Sequence, residues 1–218
     1  MEPGSDDQSD EVDLARLAAL SDGIFAVAMT LLIAGMPLPK SMTELAGMPL
    51  PQHLLTLGPA LGEVAISFFV SAIFWQRHHG FFRCLKRGDA MLPWLNFLLL
   101  FAVALTPLST YLLGNFSGDP VATCLYAANV AAIASALFLL WLRAAFRPDL
   151  LRADVSGTRI RRGLWGAGLA TLVFLVSIPV SAVSSAAGHL VWLLIVPAVL
   201  FVPHRLIGSR RAREAAGR

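Results

Sequence analysis

Six apolar stretches, each long enough to cross a lipid bilayer, make up most of the 218-residue chain. They cover residues 16–35, 53–79, 90–113, 121–146, 163–182 and 188–206. A transmembrane helix needs about 20 such residues, since each adds about 1.5 Å to a helix and the hydrocarbon core is about 30 Å thick. Within that core, a helix satisfies all of its own backbone hydrogen bonds. The sequence therefore predicts an all-α integral membrane protein with six transmembrane helices.

The composition agrees with a membrane protein and argues against other classes. Hydrophobic residues make up 56% of the chain and charged residues only 14%, and the mean hydropathy is +0.68. These values lie well outside the range of soluble domains. The formal net charge of +3 could indicate nucleic-acid binding, but the basic residues lie in the connections between apolar stretches. Membrane topology explains that arrangement better, and we expect no nucleic-acid partner.

The basic residues predict how the helices are oriented. The connections after the second and fourth stretches and the C-terminal tail hold 15 of the 17 lysines and arginines, counting those at the adjoining helix ends. The three opposite connections hold only Lys40, and Arg16 stands at the start of the first stretch. Because cytoplasmic loops carry the excess of positive charge, both termini are expected in the cytoplasm.

The ends of the chain differ in composition from the apolar stretches. Residues 1–13 are acidic and polar with no basic segment, so we interpret them as a disordered tail and not as a signal peptide. Residues 14–206 form the predicted six-helix domain, and 207–218 a basic cytoplasmic tail.

Cys84 and Cys124 fall near opposite ends of predicted helices, so neither a disulfide nor a metal site is expected. No nucleophile, base and acid converge, so we expect neither an enzyme nor a cofactor.

Three polar residues lie in the first third of the first apolar stretch: Arg16, Ser21 and Asp22. An ionisable group inside a membrane is a candidate functional residue and needs a partner. Arg16 by itself needs no functional explanation, because its long side chain can reach the membrane surface. Asp22 lies deeper in the membrane than Arg16, and its carboxylate requires hydrogen-bond donors. The candidates at the same end of the second and third helices are Trp75, Arg77, His78, His79 and Asn96.

The remaining side chains of the first stretch separate into faces. At about 100° per residue, six of them fall on one narrow stripe, which is apolar except for one hydroxyl. Ser21 and Asp22 project elsewhere. The stripe consists of Leu20, Gly23, Val27, Thr30, Leu31 and Ala34.

Two further sets of ionisable residues leave alternatives open. Glu63, inside the second stretch, could bind a proton or attract a cation, or it could be a neutral acid or one that reaches outer water. His78 and His79 are adjacent in a helix and point about 100° apart, so they do not form a chelating pair. Hydrogen bonds to Asp22 or to backbone carbonyls explain these histidines better.

The segment from Arg16 to Leu32, R-x-x-x-L-S-D followed by GIFAVAMTLL, resembles the R-x-x-x-F-S-D signature of the transmembrane protein 175 family. These proteins are endosomal and lysosomal potassium channels and their bacterial homologues. FWQRHHGFF at 74–82 and LPWLNFLLLFAVALTPLST at 92–110 extend the similarity across the first half of the chain. Leu20 replaces the phenylalanine of the motif, and Ala34 is smaller than the residue found in some bacterial relatives.

The resemblance implies a potassium-selective cation channel of modest selectivity. A single six-helix unit implies a homotetramer, whose pore is lined by the first helix of each subunit. Val27 would form a hydrophobic constriction, Thr30 a hydroxyl ring, and Ala34 with Leu31 a second apolar layer. Arg16, Ser21 and Asp22 would brace the helix, with Trp75, His78, His79 and Asn96 as partners. The expected partners are the lipid bilayer, other copies of the chain, and potassium and other monovalent cations.

Two other functions remain open at this stage. A proton-coupled secondary transporter would use the intramembrane carboxylates Glu63 and Asp22 together with the histidines. A non-conducting membrane scaffold would use the small-residue helix faces. A single six-helix unit rich in alanine and arginine suggests a multi-pass protein of a bacterial plasma membrane.

Overall fold

A computed structural model describes residues 13–35, 49–116 and 118–192, and this part of the chain is almost entirely helical. The helices are α1 (Leu14–Ala34), α2 (Leu50–Phe82), α3 (Met91–Ala104), α4 (Thr106–Asn115), α5 (Pro120–Phe146) and α6 (Gly157–Val183). A short 3₁₀ helix, Pro148–Leu150, follows α5. Residues 185–192 begin a further helix. The rest of the predicted sixth stretch, and nearly all of both predicted tails, lies outside the described residues.

Local sequence signals explain where several helices begin. Asp13 precedes α1, and its carboxylate accepts hydrogen bonds from the backbone N–H groups of Ala15 and Arg16. Asp119 does the same for α5 through Val121, and the Ser156 hydroxyl accepts from the third residue of α6. These caps satisfy N–H groups that have no partner within the helix.

The third predicted stretch is one candidate membrane span, residues 91–115, but it consists of two helices, α3 and α4. The break falls at Leu105, two residues before Pro107, whose ring nitrogen has no proton to continue the helical pattern. Asn129 of α5 donates to the hydroxyls of Thr106 and Ser109, both at 3.2 Å. One polar side chain of a neighbouring helix therefore holds the broken region through two hydrogen bonds.

Helix α5 lies at the centre of the bundle. Its side chains are buried on most sides, and it packs most extensively against α6 and also against α3 and α4. Small residues such as Ala127, Ala131 and Ala134 are fully or nearly fully buried and allow the helices to approach closely. In contrast, α1 packs against α2, α3 and α4 but leaves much of its own surface uncovered.

Among the described residues, five helical segments have the length and apolarity required to cross a membrane: residues 14–34, 57–82, 91–115, 120–146 and 157–183. The chain is therefore a multi-pass membrane protein, as predicted. The fifth predicted stretch began at residue 163, but α6 begins at Gly157, because the Ser156 cap allows the basic segment before the apolar residues to join the helix.

Ion pairs join two connections at the basic end of the bundle. The Arg143 side chain donates to Asp89 at 2.5 Å, and Asp149 accepts from Arg147 at 3.0 Å and from Arg87 at 2.6 Å. Hydrogen bonds from Arg147 and Arg87 hold the pKa of the Asp149 carboxyl well below its usual range. The two pairs of Asp149 are exposed to solvent, so their contribution to stability is small, whereas the Arg143–Asp89 pair is partly buried.

Candidate functional site

The stripe predicted on α1 is exposed in the single chain. Val27 is 59% exposed and Leu31 47%, and Thr30 and Ala34 are also exposed. The opposite side of α1 is buried against the bundle through Leu17, Ser21, Phe25, Ala28 and Leu32. The exposed face is wider than the predicted narrow stripe, because Ala26 and Ile33 belong to it as well. No other described part of the chain covers this face.

Thr30 places one oxygen on the otherwise apolar face. Its hydroxyl donates a hydrogen bond to the Ala26 carbonyl at 2.8 Å. The proton of the hydroxyl is therefore engaged with the helix backbone, and the lone pairs of its oxygen remain available to water or to a cation.

A chain of buried hydrogen bonds joins α1, α2 and α3. The Ser21 hydroxyl donates to the Leu17 carbonyl at 2.8 Å and accepts from the Asn96 amide at 3.0 Å. The Asn96 carbonyl oxygen in turn lies 2.7 Å from His78 Nε2, which must be the donor because that oxygen can only accept. Ser21, Asn96 and His78 are almost completely buried. We call these three residues the Asn96 cluster.

Asp22 belongs to a different contact. The Trp75 indole N–H donates to Asp22 Oδ1 at 2.7 Å, and the ring of His79 lies 5.7 Å from the Trp75 ring. The sequence predicts hydrogen bonds from His78 and His79 to Asp22 or to backbone carbonyls. His78 instead donates to Asn96, the partner of Ser21. Ser21 and Asp22 are consecutive in a helix and point about 100° apart, toward different neighbours. His79 lies instead beside the indole.

Arg16 lies apart from these contacts, and Arg77 lies beside α6. The Arg16 side chain is exposed and makes no hydrogen bond or ion pair with any described residue. The Arg77 guanidinium lies against Gly166 of α6, where a Cβ atom would collide with it. The structure thus brings Ser21 together with Asn96 and His78, and Asp22 together with Trp75 and His79, but it leaves Arg16 outside both groups.

Glu63 has neighbours that the sequence reasoning missed. Thr110 donates to the Ser67 hydroxyl at 3.0 Å, and Ser67 donates to the Tyr126 hydroxyl at 3.2 Å. With Glu63 these residues form what we call the Glu63 cluster. Ser67 follows Glu63 by four residues and so shares its helix face, which is a signal the sequence offered. Thr110 and Tyr126 belong to other helices, and the sequence contains no signal that places them near Glu63.

Comparison with known proteins identifies similar chains. Residues 16–107 match the sequence profile of the family described as "Endosomal/lysosomal potassium channel TMEM175". A potassium channel of Streptomyces collinus is 33% identical over 184 residues, which cover 80% of this chain and 86% of that relative. A potassium channel of Chamaesiphon minutus is 31% identical over 77% of this chain and 86% of its own length.

A solved structure has a similar fold. It is the crystal structure of a lysosomal potassium-selective channel TMEM175 homolog from Chamaesiphon minutus. The TM-score is 0.73 at 26% identity, and the similarity covers 88% of this chain and 98% of that one.

Proposed function

Because the chain belongs to the TMEM175 family, we propose that it is a potassium channel that lets ions move down their gradient across the membrane. The family assignment agrees with the motif around Ser21 and Asp22. The names of two bacterial relatives support the function, since the chain spans most of their length. The single observation that carries the proposal is the exposed face of α1, which is apolar apart from the Thr30 hydroxyl and which the described residues leave uncovered.

The proposed assembly is a homotetramer with α1 of each subunit around a central axis. One α1 helix cannot enclose a pathway, whereas several copies can surround one with identical faces. The buried side of α1 supports this arrangement, because its hydrogen bonds to α3 and to α2 fix which face remains free. We propose that both termini lie in the cytoplasm of a bacterial cell and that the ion pathway crosses its plasma membrane.

Val27 is the proposed constriction. A ring of valine side chains can close a pathway by narrowness or by excluding water. Potassium loses its hydration water at lower cost than sodium, so a narrow apolar ring favours potassium modestly. The Thr30 hydroxyls, one turn further along, would replace part of the lost hydration, and Leu31 and Ala34 would form a second apolar layer.

The proposed role of the Asn96 cluster and of the Asp22–Trp75 hydrogen bond is to hold α1 in one rotation about its axis. Both contacts lie on or beside the buried side of the helix. A rotation of α1 by about 100°, one residue, would break them and would turn Val27 away from the axis. Arg16, which is exposed, is proposed to interact with the membrane surface.

Planar-bilayer recording of the purified protein tests the function. With potassium on one side and sodium on the other, we expect discrete openings and a reversal potential shifted toward the potassium value. A saturating, stepless flux would instead indicate a transporter. Absence of flux from an intact oligomer would indicate a scaffold.

Two variants test the proposed pore residues in the same recordings. Thr30→Ala is expected to reduce the potassium-to-sodium permeability ratio, because the hydroxyl ring is lost. Val27→Asn is expected to increase conductance or leak, because an amide allows water into the constriction. An unchanged ratio in the first variant, or a lower conductance in an intact Val27→Asn oligomer, would contradict these roles.

A further inference from the structure

Glu63 lies in a membrane-crossing segment with one of its carboxyl oxygens unsatisfied. Oε2 is buried and has no hydrogen-bond partner in the part of the chain that the structure describes. The carboxyl lines a small cavity between α1, α2 and α4, with room for about one water molecule. Gly114 provides part of this space, because a Cβ atom there would lie 2.9 Å from Oε2.

The groups around the carboxyl can be identified helix by helix among the described residues. Tyr126 of α5 and His189 of the helix that follows α6 are close enough to Glu63 to interact with its charge. Tyr111 of α4 lines the same cavity, whereas α1 contributes only Leu32 and Gly35. None of the described lysines and arginines lines the cavity.

The three hydroxyls beside Glu63 bond to one another. Thr110 lies 3.0 Å from Ser67, and Ser67 lies 3.2 Å from Tyr126. An ionised carboxylate in an apolar region needs several hydrogen-bond donors, and no described residue donates to Oε2. A protonated carboxyl has one O–H group, and a single water in the cavity can accept its hydrogen bond.

We propose that Glu63 is a proton-binding site that exchanges its proton through the water-sized cavity between α1, α2 and α4, and that its ionisation increases the potassium current. The second half rests on the proposed channel function. Leu32 and Gly35 form the α1 wall of the cavity, so a negative charge on Glu63 acts at the C-terminal end of the pore helix. That charge raises the local concentration of cations.

Infrared difference spectroscopy tests proton binding without requiring current. The purified protein is titrated from mildly acidic to mildly basic pH, and the carbonyl-stretch band of protonated carboxylic acids is followed. We expect a band in the wild type that disappears as the pH rises and that is missing in Glu63→Gln. Glu63→Asp should keep a titrating band. Identical titrations of wild type and Glu63→Gln would overturn the proposal.

Recordings at varied pH on each side of the bilayer test the effect on current. The wild-type current should fall on acidification of the side at which α4 ends and α5 begins, next to Asp119. Glu63→Gln should conduct potassium at the low-pH level of the wild type at every pH. Asp119→Asn is the matched control, since it removes a negative charge at the same end, keeps a capping side chain, and should retain the pH response.

The two experiments test the two halves of the proposal independently. A wild-type pH response that persists in Glu63→Gln would overturn the effect on current. A wild type that does not conduct at all would count against the channel function, while the infrared titration would still decide whether Glu63 binds a proton.

Discussion

The bundle contains two intramembrane polar groups that differ in how completely they are satisfied. In the Asn96 cluster, Ser21, Asn96 and His78 exchange hydrogen bonds of 2.7–3.0 Å. In the Glu63 cluster, the hydroxyls are linked to one another, but one carboxyl oxygen lies beside a cavity without a hydrogen-bond partner among the described residues. A network in which every polar group has a hydrogen-bond partner fixes helices in one arrangement. A network with an unsatisfied group leaves that group available to bind a proton or water.

The largest effect on stability is expected from Asn96→Leu. This change removes the amide between Ser21 and His78 and leaves both of them buried without that partner, at a cost of about 3 kcal/mol in the free energy of unfolding. The thermal denaturation midpoint in detergent should fall clearly. Asn115→Leu is the control, because Asn115 is exposed and, among the described residues, donates to a carbonyl of its own helix. An equal loss in both variants would contradict the structural role of the cluster.

Ser21→Ala should have an intermediate effect. It removes the acceptor of the Asn96 amide while the bond between Asn96 and His78 remains, so we expect a loss of about 1 kcal/mol. Combined with Asn96→Leu, it should cost less than the sum of the two single changes, because both act on the same hydrogen bond. The same denaturation assay measures this coupling, and full additivity would show that the cluster does not act as a unit.

The smallest loss is expected from Glu63→Leu. Among the described residues Oε2 has no hydrogen-bond partner to lose. Replacing the carboxyl with an apolar side chain should therefore leave the free energy of unfolding unchanged or raise it by up to about 1 kcal/mol, and the denaturation midpoint should follow. A loss as large as that of Asn96→Leu would mean that Glu63 is a structural residue, and the contrast between the two clusters would fail.

Much of the fold follows from features that act locally. The positions of the described helices agree with the apolar stretches, and the exposed face of α1 agrees with a count of 100° per residue from Leu20 to Ala34. Capping by Asp13, Asp119 and Ser156 can also be identified from residue type, because a cap acts on residues two or three positions away.

The contacts between helices were less predictable. The sequence identified Trp75, His78 and Asn96 as polar partners of α1 but did not distinguish which would pair with Ser21 and which with Asp22. That choice depends on the rotation of α1 relative to α2 and α3, which packing decides. Tyr126 could not be linked to Glu63 for the same reason, as they are separated by 63 positions along the chain.

Chemical modification of cysteines placed on α1 tests most directly whether the exposed face of this helix lines the ion pathway. In a background without Cys84 and Cys124, Val27→Cys and Ala28→Cys form a matched pair, since these neighbours lie on the exposed and the buried side of one helix. A positively charged thiol reagent should block the potassium current of Val27→Cys and leave that of Ala28→Cys unaffected. Equal sensitivity of both variants, or an unmodified current in Val27→Cys, would contradict a pore lined by this face.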